Sequence, residues 1–362
     1  MTRELPTTYT ACREQFLNAA HHANLMIETH PIDARGRNDE ALSIDVVRVG
    51  SRDAPKTLLV LSGVHGVEGF IGSALQCDFI RWIAGQTIPS SVGVVIVHAV
   101  NPWGMAWHRR QNEHNVDLNR NWHRNLADPS PNDAYDEIHH TACPDSESLP
   151  TIDELFLGAA PFIERRGLAW IRDAITGGQY THPDGLHFGG DRTEQSNLLL
   201  ETIVDHHLDA TEHLLIVDLH TGHGPRGEVT LLSDQPPSSQ QHLVLAQIAA
   251  VGKVEATTDN PNATTGQKQG QIANGIRDLR AWSSSYATSL EFGTASDEDQ
   301  LIATYQEQWV HRQCLRSDPR YTAATDAYRA CFTPNDPMWV DACLTSGSAV
   351  LQSAFSFVCN AA

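Results

Sequence analysis

One stretch of the chain, from Thr57 to Ile83, joins an apolar run, a glycine-rich turn and an amphipathic pattern. The apolar run predicts a buried strand, and the pattern after about residue 70 predicts a helix. His65 and Glu68 lie in the turn between them. A tight turn after a strand can direct an imidazole and a carboxylate to one point, so these residues are a candidate pair of metal ligands. The turn contains three glycines, which we expect to let the backbone bend sharply: Gly63, Gly66 and Gly69.

The rest of the chain alternates predicted strands and helices, which favours an α/β fold. Further strands are predicted near residues 26–32, 45–50, 92–100, 213–219, 228–232 and 287–292, and helices near 12–24, 152–175, 194–208, 240–251, 298–316 and 338–358. We therefore expect a single domain over residues 1–362, with a mixed, mostly parallel twisted sheet and helices on both faces. A polar, acidic segment at about 125–150 is expected to be a surface insertion, and about 298–362 is expected to be helical.

Composition limits the classes of partner. The net charge of -19 disfavours nucleic acid and anionic membranes, because both repel an acidic protein. No signal-peptide pattern begins the chain, and no run of 18 apolar residues occurs in it. The 7 cysteines are scattered, without a Cys-x-x-Cys pair, which predicts free thiols and a cytoplasmic location.

Polar side chains follow several of the predicted strands, where ligands bind in open α/β sheets. A carboxylate inside an apolar strand, as at Glu291, is costly to bury without a partner. His220 ends another strand and is a candidate third ligand. The residues at these strand ends are His65 with Glu68, Arg110 with Asn119 and Arg120, His220, and Glu291. Together they predict a metal site.

In that order along the chain, these residues resemble the zinc carboxypeptidase superfamily. The similarity extends from about residue 40 to the C-terminus and is greatest to a bacterial carboxypeptidase-like branch, related to the aspartoacylase and succinylglutamate desuccinylase deacylases. That branch shares Asn-Pro-x-Gly, Asn-Val-Asp-Leu-Asn-Arg-Asn and Asp-Leu-His-Thr-Gly with this chain. The resemblance implies that Asn119 and Arg120 hold a substrate carboxylate. It also implies that Arg110, 9 residues after Asn101, stabilises an oxyanion. Arg109 is the adjacent alternative.

The chemistry of the residues agrees with this resemblance. Two imidazoles and one carboxylate, with a fourth position open, are typical of a catalytic zinc site with one Zn²⁺ per chain. Glu291 is then expected to take a proton from an activated water and pass it to the leaving nitrogen. Asp218 lies two residues before His220 on the same face of a strand, so it is a candidate to orient that ligand.

The sequence therefore predicts a zinc-dependent hydrolase of amide bonds, acting on a peptide or amino-acid conjugate with a free carboxylate. The alternatives are an N-acyl-amino-acid deacylase, which Thr221 and Gly222 after the third ligand favour, and a non-catalytic binding protein. No tyrosine can be assigned to close over substrate, although Tyr180 and Tyr286 are candidates. His182 and His187 are candidates to line the cleft, whereas His139, His140 and Cys143 are interpreted as a surface cluster. Substrate identity and oligomeric state do not follow from the sequence.

Overall fold

A computed structural model describes residues 4–123, 130–258 and 268–360. Within these residues the chain forms one eight-stranded sheet, in the spatial order β1-β2-β4-β3-β5-β8-β6-β7. The strands are β1 (Ile27–Arg35), β2 (Ala41–Gly50), β3 (Lys56–Ser62), β4 (Val92–His98), β5 (His213–Gly222), β6 (Val229–Ser233), β7 (Lys253–Ala256) and β8 (Ser284–Gly293). The four central strands run parallel to one another, in the order β4, β3, β5 and β8. Antiparallel pairs join β1 to β2, β2 to β4 and β8 to β6. The predicted fold class is confirmed.

Helices cover both faces of this sheet. They are α1 (Tyr9–His22), α2 (Gly69–Ile83), α3 (Pro102–Trp107), α4 (Asp133–Ala142), α5 (Ile152–Arg166), α6 (Leu168–Thr176), α7 (Gln195–His207), α8 (Gln240–Ile248), α9 (Ile272–Arg277), α10 (Asp297–Gln313), α11 (Pro319–Phe332) and α12 (Pro337–Asn360).

Side chains of β3 contribute to apolar clusters on both faces of the sheet, because successive side chains of a strand point in opposite directions. Leu58 and Val60 join the apolar cluster beneath α1, α2 and α12. Leu59 and Leu61 join the cluster beneath α7 and α9. A strand that is buried on both faces is apolar throughout, which explains the continuous hydrophobic run in the sequence.

Two helical regions differ from the sequence expectation. The helix predicted over 152–175 is divided into α5 and α6 by Gly167, whose φ of 83° is favourable only for glycine. The segment expected to be a polar insertion contains α4, whose Tyr135 and Ile138 are buried. Residues 124–129 of that segment lie outside the described residues. A short polar window does not indicate α4, because its buried side chains are stabilised by packing against residues distant in sequence.

α12 has the length and apolar composition of a membrane-crossing helix. Its side chains nevertheless pack within the core beneath α2 and the sheet. Gly347 permits this packing, because a Cβ there would lie 2.8 Å from both Leu75 and Phe292. Trp339 donates a hydrogen bond of 2.8 Å from its indole nitrogen to the Gly293 carbonyl. We interpret α12 as a core helix.

The cysteines agree with the expectation of free thiols. All seven are free, and four of them are buried. The single-domain organisation and the cytoplasmic location remain predictions.

Candidate metal centre

The predicted metal ligands meet at the carboxyl ends of β3 and β5, which are neighbouring parallel strands. His65 and Glu68 follow β3, and Glu68 ends a single 3₁₀ turn (Gly66–Glu68). His220 lies near the end of β5, directly opposite Glu291 of β8 in the ladder. Residues that are more than 150 positions apart in sequence are therefore adjacent because three parallel strands end together.

The three predicted ligands converge on one point. His65 Nδ1 lies 2.9 Å from Glu68 Oε1 and 3.1 Å from His220 Nδ1. His220 Nδ1 lies 2.9 Å from Glu68 Oε2. All three side chains are buried, and their donor atoms lie within 4.8 Å of one another. Two imidazole nitrogens facing each other beside a carboxylate form a donor set that suits a divalent transition metal. These residues therefore fit a metal ion.

The glycines of the turn have different structural roles. Gly63 has a φ of 64°, so it is the residue at which the backbone needs left-handed freedom. Gly66 has an ordinary φ, but a Cβ there would lie 2.1 Å from the backbone of Gly104 in α3. The turn is thus pressed against α3 and is also held by a 2.8 Å hydrogen bond from Val67 N to Arg109 O. Close packing, as well as sharp bending, explains the glycine content.

Each histidine has a carboxylate on its far side. Asp218 Oδ2 lies 2.7 Å from His220 Nε2, which is the position that strand periodicity predicted. Asp117 Oδ1 lies 3.3 Å from His65 Nε2, a contact that the sequence did not predict. A carboxylate that is hydrogen-bonded to a ligating histidine fixes its orientation and tautomer, as Asp218 can for His220. The sequence indicates Asp117 only through its place in the Asp-Leu-Asn-Arg motif, which also contains the candidate residues Asn119 and Arg120.

The electrostatics of the centre favour a positive charge. Burial alone would raise the pKa of Glu68, but His65 and His220 outweigh it and lower that pKa below its usual range. Burial also opposes protonation of His220, yet Asp218 and Glu68 raise the pKa of His220 well above its ordinary value. A cation among these side chains would be stabilised for the same reason.

The structure separates the two arginines that the sequence left open. Arg110 lies beside the candidate metal centre, with Nη1 3.4 Å from Glu68 Oε1 and Nε 3.0 Å from Asp117 Oδ2. Burial disfavours its charge, but these carboxylates raise the pKa of Arg110, so the guanidinium stays charged. Arg109 points elsewhere and forms a buried ion pair with Glu307 of α10. The expectation that Arg109 is an alternative site residue is therefore corrected.

Asn119 and Arg120 lie in a second 3₁₀ turn (Leu118–Arg120) that follows Asp117. Asn119 Oδ1 accepts a 2.9 Å hydrogen bond from Ile272 N. The Arg120 guanidinium donates to the Asn119 and Thr176 carbonyls, at 2.8 and 2.7 Å. Its buried Nε has no hydrogen-bond partner among the described residues. Arg120 is thus held by two backbone carbonyls, and its Nε is left to bind another molecule.

Two glycines shape the space around Arg120. A Cβ on Gly178, whose φ is 91°, would lie 2.6 Å from the Arg120 side chain. A Cβ on Gly270 would lie 2.1 Å from the Arg120 carbonyl. Larger residues at these positions would displace the arginine, so the loops on both sides position it.

Glu291 differs from Glu68 in that the pKa of its carboxyl group is raised. Its Oε2 is buried and has no hydrogen-bond partner in the part of the chain that the structure describes. Burial is the main reason that the pKa of Glu291 is raised, and Glu68 adds to the effect. His220 and Lys268 act in the opposite direction. A raised pKa brings a carboxyl group closer to the range in which it can exchange protons at neutral pH.

Lys268 is a residue of the candidate site that the sequence did not predict. It lies among the charges of Arg120, Arg110, Glu291 and Asp117, and burial followed by the two arginines lowers its pKa to about 7. It follows a polar loop with no periodic pattern, so the sequence carried no signal for it.

The remaining candidates take different positions. His187 lies beside Asp117, with Nδ1 3.2 Å from Oδ2, and burial lowers its pKa to about 3. His182 instead contacts Asp136 of α4 at 2.9 Å and stacks on His139. Tyr180 donates a 2.6 Å hydrogen bond to the Arg120 carbonyl. Tyr286 packs on Phe357 toward the other end of β8. Of the two tyrosines, only Tyr180 is close to the site.

Comparison with solved structures defines the fold class. Bovine thrombin-activatable fibrinolysis inhibitor, in complex with tick carboxypeptidase inhibitor, is similar with a TM-score of 0.53 and 12% identity, covering 98% of each chain. Carboxypeptidase A from Helicoverpa armigera is similar with a TM-score of 0.51 and 12% identity, covering 89% of this chain and 73% of that one. The chain thus has the carboxypeptidase fold, and the predicted resemblance is confirmed at that level.

A structure from Shewanella frigidimarina assigned to the succinylglutamate desuccinylase/aspartoacylase group is similar with a TM-score of 0.37 and 15% identity, over 80% of this chain and 72% of that one. No curated protein matches the sequence. Within the carboxypeptidase fold, the chain belongs to the family described as "Protein of unknown function (DUF2817)", whose model matches residues 6–346.

Proposed function

We propose that this protein is a zinc-dependent hydrolase that cleaves amide bonds in a carboxypeptidase-like manner. The observation that carries the proposal is the convergence of His65, Glu68 and His220 at one buried point, with Arg110 and Glu291 beside it. A zinc ion held by the three ligands would supply Lewis acidity, which activates water and polarises a carbonyl.

The chain's own residues supply proton transfer and charge stabilisation. Glu291 accepts a proton from the attacking water at a carboxylate oxygen and delivers it to the leaving nitrogen, a role supported by its raised pKa and its free Oε2. Arg110 keeps its charge beside Glu68 and Asp117. It is therefore placed to donate hydrogen bonds to the negative charge that develops on the carbonyl oxygen.

The preferred substrate bears a free carboxylate. Arg120 has a buried Nε that no described residue uses, and Lys268 adds a second cationic group close to it. An arginine held in place by Gly178 and backbone carbonyls binds a carboxylate with little loss of side-chain entropy. A small peptide with a free C-terminus satisfies this requirement, and an acylated amino acid is the alternative.

Thr221, which favoured a deacylase at the level of sequence, has a structural role. Its backbone N–H donates a 3.1 Å hydrogen bond to Glu68 Oε2, and its hydroxyl donates to the Phe332 carbonyl at 2.6 Å. Because these contacts position a metal ligand and α11, Thr221 does not discriminate between peptide and acyl-amino-acid substrates.

The proposal is tested by screening the purified protein against peptides with a free C-terminus, the same peptides with an amidated C-terminus, and N-acyl amino acids. Each is measured with chelator and after zinc is restored. We expect hydrolysis of carboxylate-bearing substrates that chelator abolishes and zinc restores. Turnover that is insensitive to chelator would contradict the metal mechanism, and preference for N-acyl amino acids would assign the deacylase alternative.

A further inference from the structure

A second group of histidines lies at the edge of the sheet, away from the candidate metal centre. Glu28 belongs to the edge strand β1, and His206 and His207 form the last turn of α7. One ligand atom from each of these three residues lies within 4.8 Å of the others. His30 lies two residues after Glu28 on the same face of β1. We call these four residues the edge cluster.

The Nε2 atoms of all three imidazoles approach the same carboxylate. The distance from Glu28 Oε2 is 3.3 Å to His207 and 4.0 Å to His30. The distance from Glu28 Oε1 to His206 Nε2 is 4.0 Å. Donor atoms around a tetrahedral zinc ion are about 3.3 Å apart, given bonds of about 2.0–2.2 Å. These carboxylate-to-nitrogen distances are therefore equal to, or slightly longer than, those of a closed tetrahedral site.

One imidazole nitrogen that approaches Glu28 lacks a hydrogen-bond partner. His30 Nε2 is a buried nitrogen without a partner among the described residues, whereas His207 Nε2 already contacts Glu28 Oε2. The His207 side chain is only 3% exposed. A buried polar atom that is left unpaired is costly, so an ion that binds His30 Nε2 would be stabilised.

We propose that Glu28, His206 and His207, with His30 as the fourth donor, bind a divalent transition-metal ion of the zinc class. Three imidazoles and one carboxylate leave no open position, which is typical of a structural rather than a catalytic site. This site shares no residue with the candidate metal centre, so it does not depend on the proposed function.

The position of the edge cluster indicates what such an ion would do. At its first residue, α7 is already joined to β1, because Gln195 Oε1 accepts a 3.0 Å hydrogen bond from Asp33 N. His206 and His207 lie at the other end of the helix. A metal ion there would fasten the second end of α7 to the strand and so protect an edge of the sheet that has a neighbour on one side only.

Arg52 contacts one of these histidines. Its Nη2 lies 2.9 Å from His206 Nδ1 and 3.2 Å from the His206 carbonyl. A guanidinium donates hydrogen bonds, so this contact favours the tautomer of His206 whose proton is on Nε2. Metal binding at Nε2 requires the other tautomer. Removing Arg52 should therefore strengthen metal binding at the edge cluster.

The test uses the full-length protein and zinc ions as the probe. Bound zinc per chain is measured by mass spectrometry after dialysis, for the wild type, His206→Ala and Glu28→Gln. Both variants should bind one equivalent less than the wild type, and Arg52→Ala should bind that equivalent more tightly. His22→Ala, which removes an exposed histidine of α1, is the matched control and should bind as the wild type does.

Two further measurements separate this site from the candidate metal centre and from misfolding. His65→Ala, which lacks a ligand of the candidate metal centre, should still bind the edge-cluster equivalent. Zinc should raise the melting temperature of His65→Ala but not of the His65→Ala, His206→Ala double variant. Equal zinc content in the wild type, His206→Ala and Glu28→Gln would overturn the proposal, whatever happens at the candidate metal centre.

Discussion

Asp218 holds His220 from the side opposite to the other candidate metal ligands, with 2.7 Å between Asp218 Oδ2 and His220 Nε2. Both side chains are buried, and both lie on β5, two residues apart. The carboxylate thus fixes the imidazole so that Nδ1 faces Glu68.

Asp218→Asn should weaken metal binding by about 10–100-fold, because an amide cannot provide the same charge or the same acceptor to the histidine. The measurement is a zinc affinity titration. Asp209→Asn, at an exposed position just before β5, is the control and should leave the affinity unchanged. Unchanged affinity in both variants would remove Asp218 from the mechanism.

Glu291→Gln should keep its metal and lose about 10²–10⁴-fold in kcat, since an amide cannot accept a proton from water. Metal content and initial rates are measured on the same preparation. Glu228→Gln makes the same change at an exposed carboxylate near β6 and should retain full activity. A Glu291→Gln protein with normal turnover would contradict the proton-transfer role.

Arg110→Lys and Arg109→Lys make the same change in adjacent residues, but only Arg110→Lys should lower the catalytic rate. Arg110→Lys should lower kcat by about 10²–10³-fold, the cost of one lost oxyanion donor. Arg109→Lys should lower the free energy of unfolding by about 1–3 kcal/mol, because the bonds to Glu307 and Asn115 are buried. Urea unfolding and steady-state kinetics on both variants check this. An activity loss confined to Arg109→Lys would reverse our assignment.

Substrate binding should depend on pH through Lys268. Burial and the neighbouring arginines lower the pKa of Lys268 to about 7, so the ammonium loses its proton as the pH rises through that value. KM for carboxylate substrates should therefore rise above about pH 7. Lys268→Arg, which stays charged, should remove this rise, and Lys268→Met should give a high KM at every pH. The same alkaline rise in Lys268→Met would assign the titration to another group.

The sequence by itself determined the fold class and selected the three candidate metal ligands that the structure brings together. Period-two and continuous apolar patterns locate strands, and in a parallel sheet the carboxyl ends of adjacent strands meet at one edge. The sequence therefore predicts that His65, His220 and Glu291 lie at the same edge of the sheet. Asp218 followed from the same periodicity, because residues i and i+2 of a strand share a face.

Only the tertiary structure decided which side chains surround those ligands. Arg109 and Arg110 are adjacent in a loop, where no periodicity assigns their directions. Arg109 forms an ion pair with Glu307 and does not face the candidate metal centre. Glu307 is 198 residues distant in sequence. The sequence likewise did not predict that Asp117 lies beside His65 or that Lys268 lies beside Arg120. Both residues are in loops, which are positioned by packing against distant elements. Strand geometry is local and can be predicted from a pattern, whereas the direction of a loop side chain depends on contacts that form only when the chain is folded.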